Sequence, residues 1–210
     1  MILSLLFSNP ALFFTWVLAL LVAITVHECM HAWTANYLGD PTAKYMGRIS
    51  LNPIVHLDLF GTIAILLIGI GWGKPVQINE NNFKNPRLGS AITSLAGPLS
   101  NMAIVVIFLT FIRLGFITNT VLLPIFATIV LVNIILMVFN LIPIPPLDGS
   151  KVLYYFLPRS VDIEKLETYG PFLILGLFIF GRGALSLLIA VVIGLISSIT
   201  GVPIVDLTPF

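Results

Sequence analysis

Residues Ala11 to Val26 carry no charged side chain, and the apolar stretch they belong to runs from Pro10 to Leu38. A run of this length crosses a bilayer as a single helix, and few other structures accommodate it. Ionisable groups are costly in such a setting, on the order of 2–3 kcal/mol or more for a carboxylate at bilayer depth. Yet His27-Glu28-Cys29-Met30-His31 stands near the end of the stretch and uses two of the chain's three histidines. On a helix His27 and His31 are i and i+4, so their imidazoles project from one face about a turn apart and can hold one metal ion together.

Glu28 lies beside that face. In the H-E-x-x-H pattern of zinc peptidases a glutamate at this position takes a proton from the attacking water. In a soluble helix the same residues would also read as a solvated polar face; in an uncharged apolar run they read as a functional site.

Composition points to an integral membrane protein: 58% of the 210 residues are hydrophobic and 9% charged, against about 25% charged in an ordinary soluble domain. The net charge of +1 predicts nothing about nucleic acid, but there is no basic cluster to bind it, so no nucleic-acid partner is expected. Cys29 is the single cysteine and cannot form an internal disulfide. The N-terminus has no lysine or arginine before its apolar run, and that run contains the metal motif, so it is expected to be retained rather than cleaved as a signal peptide.

Hydropathy predicts spans at about 11–37, 91–112 and 121–142, with a further apolar region at 171–200. Leu59 to Trp72 is apolar but short, about 21 Å as a helix, and carries Gly61, Gly69 and Gly71, with Gly73 just beyond. It is expected to be re-entrant or tilted. In the last region a hairpin turning at Gly181-Arg182-Gly183 lets the guanidinium reach water. The expected fold is an all-α polytopic membrane protein with about five to six transmembrane helices, a re-entrant element and short β-strands near the site. It is read as one domain over 1–210, with a catalytic core at about 11–157 and a C-terminal helical hairpin at about 165–200.

If 59–72 does not cross, loops 39–58, 73–90 and 143–168 share one side. They hold Lys44, Arg48, Lys74, Lys84, Arg87, Lys151, Arg159 and Lys165, while Arg113 and Arg182 lie opposite. That asymmetry predicts a cytoplasmic location for the shared side and for His27 and His31 at its level.

A catalytic zinc takes three protein ligands and keeps one position open. For the third ligand the spacing leaves two candidates. His56 stands in Leu51-Asn52-Pro53-Ile54-Val55-His56-Leu57-Asp58, where it could equally be tied into a loop hydrogen-bond network. Asp148 follows the helix ending near Leu141, but an Asp-Gly pair after Pro-Pro is also ordinary turn chemistry.

Taken together, His27-Glu28-x-x-His31 in a membrane helix and Asn140-x-x-Pro143-x-x-x-Leu147-Asp148-Gly149 resemble the paired signature of the site-2 protease family of intramembrane zinc metalloproteases, peptidase family M50. Gly97-Pro98-Leu99-Ser100-Asn101 resembles that family's Gly-x-x-x-Asn motif. The segments Gly39-Asp40-Pro41-Thr42-Ala43, Leu51-Asn52-Pro53 and Gly71-Trp72-Gly73-Lys74-Pro75-Val76 are similar to a compact prokaryotic branch without PDZ or CBS domains. The resemblance covers most of residues 20–170. It implies that Asp148 joins His27 and His31 around one Zn²⁺, that Glu28 is the general base, and that the protein sits in the cell membrane as a multi-pass chain and cuts membrane-spanning segments of other proteins.

Asn140 has two readings as a catalytic or structural group: an amide donor to the oxyanion of the tetrahedral intermediate, or an interhelical hydrogen bond. Gly97 and Asn101, with Ser94 and Ser90, form a stripe of small residues suited to close helix packing, and Asn101 could also orient Asp148 or a histidine. Peptide cleavage in a membrane needs an unwound substrate whose freed backbone groups find partners. Gly47-Arg48-Ile49-Ser50-Leu51 and Pro75-Val76-Gln77-Ile78-Asn79 are the candidate strand edges for receiving it. Two alternatives stand beside the protease: a zinc transporter, against which the clustering of ionisable groups at one level argues, and a non-catalytic metal-binding membrane protein, against which Glu28 argues. Oligomeric state is not legible.

Overall fold

The computed structural model describes residues 2–68 and 71–207. In chain order its helices are α1 (Ile2–Ser8), α2 (Pro10–Tyr37), α3 (Thr42–Tyr45), α4 (Leu59–Ile68), α5 (Pro86–Arg113), α6 (Leu122–Asn140), α7 (Asp148–Phe156), α8 (Ile163–Phe180), α9 (Arg182–Thr200) and α10 (Ile204–Leu207). Four of them, α2, α5, α6 and α9, are long and apolar enough to cross a membrane.

Helix α2 has 28 residues and reaches about 42 Å, beyond the ~30 Å hydrocarbon core. Asn9 opens it by accepting from the Leu12 N–H at 3.2 Å, with Pro10 at the first helical position. Gly39, at φ 110°, closes it in a conformation that a side chain would disfavour. Helix α5 begins at Pro86, ahead of the expected 91, because Asn85 caps the Leu88 N–H at 3.2 Å and Pro86 is preset for a first turn. Helix α6 ends at Asn140, and the prolines at 143, 145 and 146 keep the chain irregular until α7 starts at Asp148.

Small residues let α2 and α6 approach: Ala19 and Ala23 pack on Ile129 and Val132. Further along, Val105 and Leu109 of α5 meet Val130, Ile134 and Met137 of α6 and Ile193 of α9. The apolar region 171–200 is broken at Gly181, which ends α8 and precedes α9.

Helix α4 has ten residues, about 15 Å, and is too short to cross. Asp58 caps it, accepting from the Gly61 N–H at 2.8 Å. Leu57 and Gly73 form an antiparallel bridge, and the Lys74 N–H donates to the His56 carbonyl at 2.8 Å, so the segment's two ends lie together. The return is close. A Cβ on Gly61 would stand 2.0 Å from the Trp72 carbonyl oxygen, so the residue must be glycine for space. Gly69, counted with these glycines from the sequence, lies outside the described residues. Among the described residues no strand forms: the segments at 47–51 and 75–79, where short strands were expected, are irregular, and the isolated Leu57–Gly73 bridge lies outside both.

Candidate metal centre

Helix α2 presents His27 and His31 to α5, and both rings are buried there. Each is held at Nδ1. The His31 Nδ1–H donates to the Thr93 carbonyl at 2.7 Å, next along α5 from the Ser94 carbonyl that Pro98 has no N–H to satisfy. His27 Nδ1 lies 2.7 Å from Asn101 Oδ1. That amide's orientation is fixed by its other end, since Asn101 Nδ2 donates to the Ala23 carbonyl at 3.1 Å and to Asn133 Oδ1 at 2.8 Å. Asn133 Nδ2 in turn donates to the Ile129 carbonyl at 2.8 Å. Asn101 Oδ1 is therefore an acceptor, and His27 carries its proton on Nδ1.

In the neutral form of each ring Nε2 is then a bare lone pair, and the two face each other at 3.0 Å. Asp148, at the first position of α7, adds two more acceptors: Oδ2 at 3.1 Å from His27 Nε2 and Oδ1 at 3.3 Å from His31 Nε2. Oδ2 is buried and makes no hydrogen bond of acceptable geometry despite that proximity. One ligand atom from each of the three residues falls within 4.8 Å of the others. Converging acceptors with no proton between them repel, and a cation at their centre removes the conflict. Two neutral imidazoles and a carboxylate form a donor set that fits zinc.

The backbone of α5 forms the wall of this pocket. A Cβ on Gly97 would lie 2.5 Å from His31 Nε2 and 2.7 Å from His27 Cε1. The closely packed partner of the small-residue stripe is thus the histidine pair itself. Gly149 is constrained in the same way: a Cβ there would lie 2.3 Å from the Leu141 carbonyl oxygen, so α7 can start against the end of α6 only with glycine after Asp148. Glu28 is half-buried, its Oε1 3.8 Å from where a Gly73 Cβ would stand.

His56 is fully buried but outside this group; its Nε2–H donates to the Ser50 carbonyl at 2.7 Å. Asn140 is half-buried and donates from Nδ2 to the Leu136 carbonyl of its own helix at 3.0 Å, leaving one amide hydrogen uncommitted. Ser90 donates to Glu80 Oε1 at 2.8 Å, and Lys151, one turn beyond Asp148, pairs with Glu167 of α8 at 2.6 Å. Burial pulls the Lys151 pKa down, and Glu167 and Glu80 more than offset it, leaving the ammonium raised. Thr93, Asn133 and the backbone of Gly97 also shape the site; only an alignment of the facing surfaces of α2, α5 and α6 reveals them.

The model of Peptidase family M50 matches residues 15–121 and 115–178. The chain is 39% identical over 178 residues to the "Putative zinc metalloprotease YwhC" of Bacillus subtilis, covering 80% of this chain and 81% of that protein. It is 32% identical over 139 residues to the "Putative zinc metalloprotease Rip2" of Mycolicibacterium smegmatis, and likewise over 140 residues to Rip2 of Mycobacterium tuberculosis; each match covers 63% of this chain and 53% of the relative. No solved structure matches the chain.

Proposed function

This chain belongs to peptidase family M50 and is a membrane metalloprotease, and from that premise we propose that it is a zinc-dependent intramembrane endopeptidase acting in regulated intramembrane proteolysis. The carrying observation is the convergence of His27 Nε2, His31 Nε2 and the Asp148 carboxylate, with both Nδ1–H groups committed elsewhere, among apolar membrane-length helices. These three residues hold one Zn²⁺ per chain. Zinc held there would lower the pKa of a water toward about 7 and would act as a Lewis acid on the scissile carbonyl.

The chain's own groups do the rest. Glu28 accepts the proton of the attacking water and delivers it to the departing amine nitrogen, so the amide C–N bond breaks without releasing a free amide anion. The free amide hydrogen of Asn140 donates to the oxygen that gains charge as the carbonyl carbon becomes tetrahedral. Asn101 and the Thr93 carbonyl keep both rings in the ligating tautomer and orientation. A substrate segment enters unwound and pairs its backbone with the 75–79 edge.

The bridging of Leu57 to Gly73 supports a re-entrant reading of 59–72. That reading keeps loops 39–58, 73–90 and 143–168 on one side, and their excess of lysine and arginine assigns that side, with the site, to the cytoplasm. Residues 11–157 form the catalytic core of a single domain, with α8 and α9 as its C-terminal hairpin. The substrates are membrane-spanning segments of other proteins.

The test is cleavage of a membrane-spanning substrate by purified protein in detergent, parent against Glu28→Gln. The parent cuts and the variant does not, while both retain zinc. A Glu28→Gln protein as active as the parent overturns the mechanism, and zinc uptake into liposomes without cleavage by either protein replaces it with transport.

A further inference from the structure

Residues Pro75 to Ile78 are suspended between two buried side chains. At one end Arg48, only 4% exposed, donates through Nη1 to the Val55 carbonyl and through Nη2 to the Lys74 carbonyl. The Lys74 N–H is bonded at the same point to the His56 carbonyl, and the His56 ring is tied to Ser50, so this end rests on a platform with little freedom. At the other end Asp40, with no exposed surface, accepts the Asn79 N–H through Oδ2 at 2.8 Å. Its Oδ1 takes Asn82 Nδ2 at 2.7 Å and the Thr42 N–H and hydroxyl at 3.1 and 2.5 Å.

Between these ends the backbone groups of Val76, Gln77 and Ile78 make no hydrogen bond among the described residues. The chain there is neither helix nor paired strand, and it alternates: Val76 and Ile78 are half-buried, Gln77 is exposed. A run of about 13 Å with unpaired N–H and C=O groups is an open edge. Burying a guanidinium and a carboxylate is costly, and here both act on the backbone at the two ends of that edge. The anchored end lies next to the catalytic base: Glu28 Oε1 is 3.8 Å from where a Cβ on Gly73, the residue before Lys74, would stand.

We propose that Arg48 and Asp40 are substrate-positioning residues: two buried clamps that hold 75–78 extended and unpaired beside Glu28, so that an unwound substrate segment adds to it backbone to backbone. This rests on the protease reading and adds to it the two side chains that keep the edge open. Each clamp acts through the segment it holds, so its loss weakens substrate capture and leaves the metal in place.

The experiment uses the zinc-loaded full chain in detergent and a fluorescence-quenched apolar peptide of about 20 residues that the parent cleaves. A series methylated at one backbone nitrogen at a time accompanies it. In the parent, methylation at a paired nitrogen lowers kcat/KM about ten-fold, the worth of one backbone hydrogen bond. In Arg48→Lys, which cannot bridge two carbonyls, KM rises about ten-fold with kcat and zinc retained, and the methylation penalty shrinks to about two-fold. Asn79→Pro, which deletes the N–H held by Asp40 and replaces neither buried residue, gives the same pattern if Arg48→Lys does not fold. Parent-like KM and an undiminished methylation penalty in the folded variants, with Glu28→Gln inactive, overturn the clamps alone. Full activity of Glu28→Gln overturns the protease reading and the clamps with it.

Discussion

Gly97→Ala isolates the contact between α5 and the histidine pair. The added Cβ would stand 2.5 Å from His31 Nε2, 2.6 Å from His31 Cε1 and 2.7 Å from His27 Cε1, whereas unstrained carbon contacts begin near about 3.5 Å. The rings must therefore retreat by about 1 Å, against metal–ligand distances that tolerate about 0.2 Å. They cannot pivot freely, because Asn101 and the Thr93 carbonyl hold both Nδ1 atoms at 2.7 Å. Overpacking of this size costs about 1–3 kcal/mol, which corresponds to a loss of about 5–150-fold in zinc affinity. Displacing the catalytic constellation by the same distance lowers kcat/KM by about 100-fold. The assay is zinc titration of metal-stripped protein in detergent, followed by peptide cleavage at saturating zinc. Gly194→Ala on α9 is the control, since a Cβ there meets nothing within 4 Å. Zinc affinity and cleavage within two-fold of the parent in Gly97→Ala would show that the rings do not depend on this wall, and the account of the pocket would be wrong.

Asn101→Leu leaves the His27 Nδ1–H without its acceptor and strands Asn133 Oδ1; zinc affinity falls about 10–100-fold, measured by competition with a chromophoric chelator. Gly149→Ala forces α7 away from the end of α6, because its Cβ would lie 2.3 Å from the Leu141 carbonyl oxygen. Zinc content and thermal stability in detergent both drop, by about 1–3 kcal/mol in the latter. Burial alone would raise the Asp40 carboxyl, but hydrogen bonds from Thr42, Asn82 and Asn79 hold it below its ordinary 3.8. A depressed folded pKa contributes stability that is present above the unfolded value and lost as pH falls through the folded one. The melting temperature of the parent therefore declines below about pH 4, and Asp40→Asn, which is less stable at neutral pH, shows a flatter acid limb.

Much of the candidate site is legible in the sequence because its residues are marked by side-chain identity at helical spacing. His27, Glu28 and His31 announce themselves in an uncharged helix. Asp148 did not, since spacing left it level with His56, and only resemblance to a known signature favoured it. The structure brings Asp148 to within 3.1 and 3.3 Å of the two rings and ties His56 to Ser50. What the sequence hid is of two kinds. Thr93 contributes a backbone carbonyl, which any residue has, so no residue type signals it. Gly97 and Gly149 read as helix packing and turn chemistry, but each is required by the absence of a Cβ against a partner distant in the chain or across a turn. The early start of α5 was readable from Asn85-Pro86, a cap followed by a first-turn proline, and was obscured by the polar residues that lower hydropathy there. Arg48 counted as one of eight loop charges and as a member of the 47–51 strand candidate, and its burial and two carbonyl partners give it a different place.

X-ray absorption at the zinc edge of the purified full chain in detergent tests the central claim most directly. The account predicts one zinc per chain with two imidazole nitrogens at about 2.0–2.1 Å and the remaining ligands oxygen at about 2.0–2.2 Å. In Asp148→Ala the zinc is lost. A sulfur shell at about 2.3 Å, drawn from Cys29, or an unchanged spectrum and full occupancy in Asp148→Ala, would contradict it.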